Sequence, residues 1–408
     1  MKKNNRRVVI TGLGAVTSIG IGKDEFWKNC LAGKSGISKI ESFDTSKFDR
    51  HYGGEIKDFK PERFIDRRKL KTMGRASQLA VAASKLAIED AKLNRHEITS
   101  EKIGVCIGTT MAEISIIEKI DSIWIESGDK NISKRFIALA PSSAIPANVA
   151  KEFKIRGRNL LFANACAAGN YSIGFAFDLI RLGRLNFMLS GGVDAFSRTN
   201  LVGFSRLYAM ASEKCQPFDK NRQGMLVGEG SGIIILESLE SALARKVPIY
   251  AEVLGYGLSC DAYHMTAPAA QGVIRCMQKA LKYSGVSSDD VDYISAHGTG
   301  TIPNDKTECA GIKKVFGQTN SKTPVSSIKS MLGHSMGAAS AIEAIACCLA
   351  IKEGMIPPTI NFETFDPECD IDCVPNKARK QKLNIVLNNS YAFGGNNASL
   401  VLRRCSDK

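Results

Sequence analysis

Apolar runs broken by glycine alternate with amphipathic stretches along most of the chain. Val8-Val9-Ile10 is a continuous apolar run, and Gly12 and Gly14 behind it predict a buried strand stopped by a tight turn. A helical pattern follows at Phe26-Trp27, and residues 74–92 are alanine-rich with apolar positions at helical spacing. Buried strands are predicted over 103–108, 160–165 and 187–192, with a helix over 169–182 between the last two. The second half repeats this rhythm: a strand over 249–255, a helix over 271–284 and a strand over 291–296. A helix over 337–352, apolar nearly all round and therefore buried, precedes strands at 386–388 and 399–403. The alternation predicts right-handed crossovers and a mainly parallel, layered α/β fold. Two halves of similar order, meeting near 245–250 with no long linker, suggest an internal duplication whose interface houses the chemistry.

Composition narrows the class. The chain has 408 residues, 44% apolar and 24% charged, enough for one large core or two medium ones and unlike a disordered or fibrous protein. No run of eighteen apolar residues occurs, so no membrane span is predicted. Lys2, Lys3, Arg6 and Arg7 mimic the positive end of a signal peptide. Gly12, Gly14 and Gly20 interrupt the apolar stretch behind them, however, and the expectation is a cytoplasmic protein. A surplus of 14 positive charges (55 Lys and Arg against 41 Asp and Glu) favours an acidic partner: nucleic acid, anionic lipid or acidic protein. The basic cluster Arg63, Arg67, Arg68, Lys69 and Lys71 is short and carries no nucleic-acid motif.

The twelve cysteines are scattered without the paired spacing of a zinc site or disulfide framework, so their default role is core filling. Cys166 departs from that default. In Asn164-Ala-Cys166-Ala-Ala-Gly169-Asn170 it stands at a strand end where a helix opens. A sharp strand-to-helix turn exposes a nucleophile, and a helix N-terminus lowers a thiol pKa and offers free N–H groups to an oxyanion.

Only five histidines occur. His297 ends a strand in His297-Gly-Thr299-Gly-Thr301, whose hydroxyls suit an amide-bearing arm. His334 lies in Gly333-His334-Ser-Met-Gly337 just before the buried helix, where an imidazole tends to stay neutral. His51 and His96 lie in polar surroundings and are expected at the surface; His264 is ambiguous. Glu343, within the apolar helix, needs a partner, and Lys329 can supply one while holding the His334 loop. The turn in Tyr391-Ala392-Phe393-Gly394-Gly395 can bring a backbone N–H toward Cys166 and lay Phe393 over the thiol.

Together these motifs are specific. From Val8-Val-Ile-Thr-Gly-Leu-Gly14 through Gly228-Glu-Gly-Ser-Gly232, Asp261-Ala-Tyr-His-Met-Thr266, His297-Gly-Thr-Gly-Thr301 and Lys329 with Gly333-His334 to Gly394-Gly395, the chain resembles the elongating β-ketoacyl-(acyl carrier protein) synthases and related polyketide ketosynthases. The resemblance implies a thiolase-like fold of duplicated halves in αβαβα layers, divided as 1–248 with the cysteine and 249–408 with both histidines. It implies a homodimer, or a heterodimer with a homologous non-catalytic subunit, that works on acyl carrier protein. It assigns Cys166 as nucleophile, His297 and His334 to decarboxylation and condensation, Lys329 and Glu343 to their support, and Phe393 to the oxyanion site and gate. Met111, Phe204, Thr266, Thr299 and Thr301 are its substrate-binding positions. No metal or cofactor is required, because substrates ride on the phosphopantetheine arm of the carrier. The reaction implied is the condensation of a Cys166-bound acyl chain with malonyl-carrier in fatty acid elongation, or alternatively in a specialised polyketide, polyene or lipid pathway. Alanine at 392, where the family pattern has glycine, and Met111 at its chain-length position leave that choice open.

Overall fold

The first apolar run does not stop at its glycines. In the computed structural model, which describes residues 6–317 and 323–405, it continues as β1 (Val8–Thr17), buried throughout. Lys2 and Lys3 of the basic opening lie outside the described residues. Glycine serves close approach here rather than a turn: a Cβ on Gly12 would lie 2.2 Å from the Ala87 carbonyl oxygen, and one on Gly14 1.9 Å from that of Ala83. Both carbonyls belong to α1 (Arg75–Asp90), so small residues on helix and strand let the two elements touch.

Nine further strands join β1: β2 (Ile103–Gly108), β3 (Asn159–Phe162), β4 (Phe187–Asp194), β5 (Gly230–Ser238), β6 (Ala251–Cys260), β7 (Tyr293–Ser295), β8 (Val325–Ser326), β9 (Ile385–Tyr391) and β10 (Asn396–Arg403). With the two-residue strand Gly20–Ile21 paired to β1, they form one 11-stranded sheet. Its order is β8-β7-β9-β10-β6-β1-β5-β4-β2-β3. Each set of five therefore follows the order 3-2-4-5-1 from its outer edge inward, and the sets meet where β1 and β6 pair antiparallel. In each set the second strand is parallel to both neighbours, whereas the fifth is antiparallel to both. The expected mainly parallel sheet is thus corrected to a mixed one. The chain turns back on itself after β4 and after β9, the second time through the short turn at 392–395.

Helices complete the layers. After α2 (Ile114–Ser127) come α3 (Ala168–Arg181), α4 (Ala270–Ser284), α5 (Ile302–Phe316), the short α6 (Lys329–Leu332) and α7 (Ala339–Glu353). Helix α1 packs on β1 and β5, and α4 packs on β6 and β10; α3 and α7 lie between and touch strands of both sets. The result is a thiolase-like αβαβα arrangement. As its all-round apolar pattern requires, α7 is buried from Ala339 to Ile351.

Candidate active site

The two central helices begin where the chemistry gathers. Cys166 occupies a single 3₁₀ turn, Ala165–Ala167, between β3 and α3. Ala165 takes φ +47°, a strained value for a residue other than glycine. The Ser390 hydroxyl on β9 donates to the Cys166 carbonyl oxygen at 3.0 Å, anchoring the turn to the second set of strands. Cys166 is 5% exposed and faces a cleft of about 290 Å³ shared with His297, His334, Phe204 and Phe393.

The expected lowering of the thiol pKa is reversed. Burial dominates and pushes Cys166 up to about 12, while the charge of Lys329 and the N–H groups of Cys166 and Phe393 pull the other way. Those two N–H groups are the donors expected beside the sulfur. A buried pair of this kind stabilises negative charge as it develops.

His297 and His334 reach the cleft from separate loops, their ring centroids 5.3 Å apart and their planes at 81°. The N–H groups of His297 and Gly298 donate to the two oxygens of Glu308 on α5, at 2.8 and 2.7 Å. Glu308 is itself buried and pushed up to about 7 by that burial. The His334 N–H donates to the Leu226 carbonyl oxygen at 2.7 Å. His334 Nδ1 accepts from the Met336 N–H at 3.2 Å, which leaves the proton of the neutral ring on Nε2. Burial first, then the charge of Lys329, holds both imidazoles well below the ordinary histidine value. Both are therefore neutral donors at physiological pH.

Lys329 on α6 donates through Nζ to Glu343 Oε1 on α7, and both side chains are buried. Burial pushes Glu343 up to about 7, with Lys329 opposing. The pair lies outside the cleft lining. Phe393 does line it, with its ring centroid 5.8 Å from that of Phe204. Gly394 and Gly395 in its turn take φ +76° and +72°, where glycine is needed, whereas Ala392 sits at φ −120° and fits without strain. Thr266, Thr299 and Thr301 line the cleft, and the last two hydroxyls hydrogen-bond each other at 2.9 Å. Met111 is not brought into the lining; in the loop after β2, its N–H donates at 2.8 Å to Asp194, which ends β4.

His51 and His96 are exposed, as expected, while His264 lies on the cleft wall and accepts at Nδ1 from the N–H groups of Thr266 and Ala267. The basic cluster from Arg63 to Lys71 is exposed, with Arg68 paired to Asp66 and Lys69 to Glu152. None of the twelve cysteines is in a disulfide, and ten of them are buried. Among the described residues no group of three or more His, Cys, Asp or Glu is placed to hold a metal ion, and no helix is long and apolar enough to cross a membrane. Sequence reasoning missed Asp194 and Glu308. The only signal for Asp194 was a carboxylate ending an apolar, glycine-containing strand.

Residues 5–242 match the family model described as Beta-ketoacyl synthase, N-terminal domain, and residues 250–363 match Beta-ketoacyl synthase, C-terminal domain. The chain is 42% identical to 3-oxoacyl-(acyl-carrier-protein) synthase 2 of Synechocystis sp., over 98% of each. It is 40% identical to the protein of the same name from Staphylococcus aureus, over 98% of this chain and 99% of the other. Among solved structures, a chain of the ishigamide ketosynthase/chain length factor superposes with TM-score 0.96 at 46% identity, covering 98% of this chain and all of that one (100%). A chain from a type II polyketide synthase acyl-carrier protein in complex with its ketosynthase bound to the hexaketide gives TM-score 0.90 at 36% identity, with coverage of 98% and 100%.

Proposed function

This chain belongs to the β-ketoacyl synthase family, and from that premise we propose that it condenses a Cys166-bound acyl chain with malonyl-carrier. It is a condensing enzyme of the ketosynthase type, acting on acyl thioesters. The observation that carries the site assignment is the convergence of Cys166, His297 and His334 on one cleft.

In the first stage the Cys166 sulfur, having lost its proton, attacks the carbonyl of a carrier-bound thioester. The N–H groups of Cys166 and Phe393 hold the oxyanion, the carrier C–S bond breaks, and the carrier thiol leaves with a proton. In the second stage malonyl-carrier enters along Thr266, Thr299 and Thr301. Its C–C bond to the carboxylate breaks to release carbon dioxide, and the electron pair passes to an enolate held by the neutral imidazoles of His297 and His334. The enolate carbon attacks the acyl-cysteine, forming the new C–C bond and freeing the thiolate. Lys329 and Glu343 support this set from outside the cleft. We read 1–248 and 249–408 as the two halves between which the reaction runs, and the cytoplasm as its place.

Two pathways were open, and similarity favours the second. The 46% identity to a chain of a ketosynthase/chain length factor exceeds the 42% to 3-oxoacyl-(acyl-carrier-protein) synthase 2. We therefore place this chain in a specialised polyketide, polyene or lipid pathway rather than in primary fatty acid elongation. Its partners in this reading are an acidic acyl carrier protein, met by the exposed cluster Arg63, Arg67, Arg68, Lys69 and Lys71, and a second chain of the same fold.

Intact-protein mass spectrometry after incubation with a panel of acyl carriers tests the reading. The parent should gain one acyl mass and lose it when malonyl-carrier is added, and Cys166→Ala should gain none. Condensation by Cys166→Ala at the parent rate would sink the assignment.

A further inference from the structure

Asp194 ends β4, is fully buried and takes no part in the steps above. Its two oxygens meet four donors from two separate segments. Oδ1 accepts from the Thr109 hydroxyl and the Met111 N–H, each at 2.8 Å. Oδ2 accepts from the N–H groups of Thr110 and Gly337, each at 2.7 Å. One carboxylate thus ties the loop after β2, which carries Met111, to the turn Met336–Ala338 that follows His334.

That turn sets the state of the histidine. The N–H of Met336 donates to His334 Nδ1, and the next N–H, that of Gly337, donates to Asp194. Both segments are strained where they meet the carboxylate: Met336 takes φ +51° and Ala112 φ +54°. Such conformations persist only where surrounding contacts over-determine them. The Thr109 hydroxyl also accepts from the Ala112 N–H at 2.9 Å, extending the lock to the second strained residue. Contact between the segments is as tight as glycine permits, since a Cβ on Gly337 would lie 2.7 Å from Thr109.

We propose that Asp194 is a positioning residue that locks the Met111 loop to the Met336–Ala338 turn, and so holds His334 in place for condensation. The inference rests on the condensing role of His334 given above. It makes the four hydrogen bonds serve the second half-reaction first: the turn Ala165–Ala167 also touches Met336–Ala338, but the nucleophile keeps its own anchor to β9 through Ser390.

Asp194→Asn replaces one acceptor oxygen by a donor, and two of the four donors then face an N–H₂ group. The variant should load acyl groups onto Cys166 at close to the parent rate and condense roughly ten- to a hundredfold more slowly, as expected for a displaced catalytic group. Its ratio of rates with short and long acyl primers should also change. A merely structural role would lower both half-reactions together, in proportion to the folded fraction. Thr109→Val, which removes the hydroxyl that donates to Asp194 and accepts from the Ala112 N–H, provides a milder second variant and should change the primer ratio with only a modest fall in melting temperature. His334→Ala is the control. If it fails to separate condensation from loading, the reading of the site has failed. If it does separate them while Asp194→Asn loses both equally, or Thr109→Val leaves the primer ratio unchanged, the inference about Asp194 is overturned.

Discussion

At the scale of the residue, the site is governed by the removal of water from ionisable groups. Burial raises Cys166 and depresses both histidines, and in each case Lys329 pushes downward. The sign for the histidines follows directly. A depressed pKa keeps the imidazole neutral as pH falls through the ordinary value of 6.5, and protonation sets in only below it. The acid limb of condensation should therefore lie below that value. Lys329→Met with Glu343→Leu removes the charge and leaves neither a buried charge nor a buried amide unpaired, the costly outcome of a single change. Without Lys329 the histidine pKa values rise, so the acid limb should move to higher pH. The Cys166 thiol rises as well, so acyl loading at neutral pH should slow. A pH–rate profile of each half-reaction reads both effects, and an unmoved acid limb would contradict the role given to Lys329. That Cys166, His297 and His334 meet at one cleft was legible in the sequence because each stands at an element end beside glycine. The direction of the Cys166 shift was not, because it depends on how much of the fold closes over the thiol.

At the scale of the element, apolar periodicity located α1, α3, α4 and α7 within a few residues and gave the glycine-containing strands β2 and β4 almost as observed, but it cut β1 short at its glycines. Glycine in sequence signals a turn, and β1 uses it instead to admit a helix to van der Waals distance. The same feature hid β5, the buried strand Gly230–Ser238 beside β1, where glycines at 230 and 232 precede an apolar run. Strand direction was equally hidden, since alternation of helix and strand does not reveal that the fifth strand of each set turns back. Asp194 went unnoticed for a related reason: its four donors come from segments 83 or more residues away. The role of close approach can be measured. Gly14→Ala would place a methyl 1.9 Å from the Ala83 carbonyl oxygen, and α1 must shift to admit it. Overpacking of this kind costs about 1–3 kcal/mol. The denaturant midpoint should fall accordingly, while turnover per folded molecule stays near the parent value, because α1 does not line the cleft. An unchanged midpoint would mean that the glycine is there for another reason.

At the scale of the whole molecule, the two ends of the sheet differ. At one end β8 has only two residues, both buried. At the other, β3 presents Asn159 exposed and Leu160, Leu161 and Phe162 half-buried, with the Phe162 ring 5.4 Å from that of Phe175 on α3. Helix α2 is apolar yet has no buried residue, and Trp124 and Ile125 on it are 60% and 80% exposed. An exposed apolar edge strand is a template for pairing unless another chain covers it. Under the function proposed above, the occupant is a second chain of the same fold. Antiparallel pairing of β3 with its counterpart would extend the sheet across a twofold axis. Leu161→Lys places a charge on that edge and should shift the sedimentation mass from two chains toward one, with Cys166 still folded in its cleft and open to acyl loading. If the parent chain is monomeric alone but sediments as a pair when co-expressed with a homologous subunit lacking the cysteine, the partner is the non-catalytic one. If the parent stays monomeric with either partner and condenses at full rate, this edge is covered by nothing of its own fold, and the dimeric reading falls.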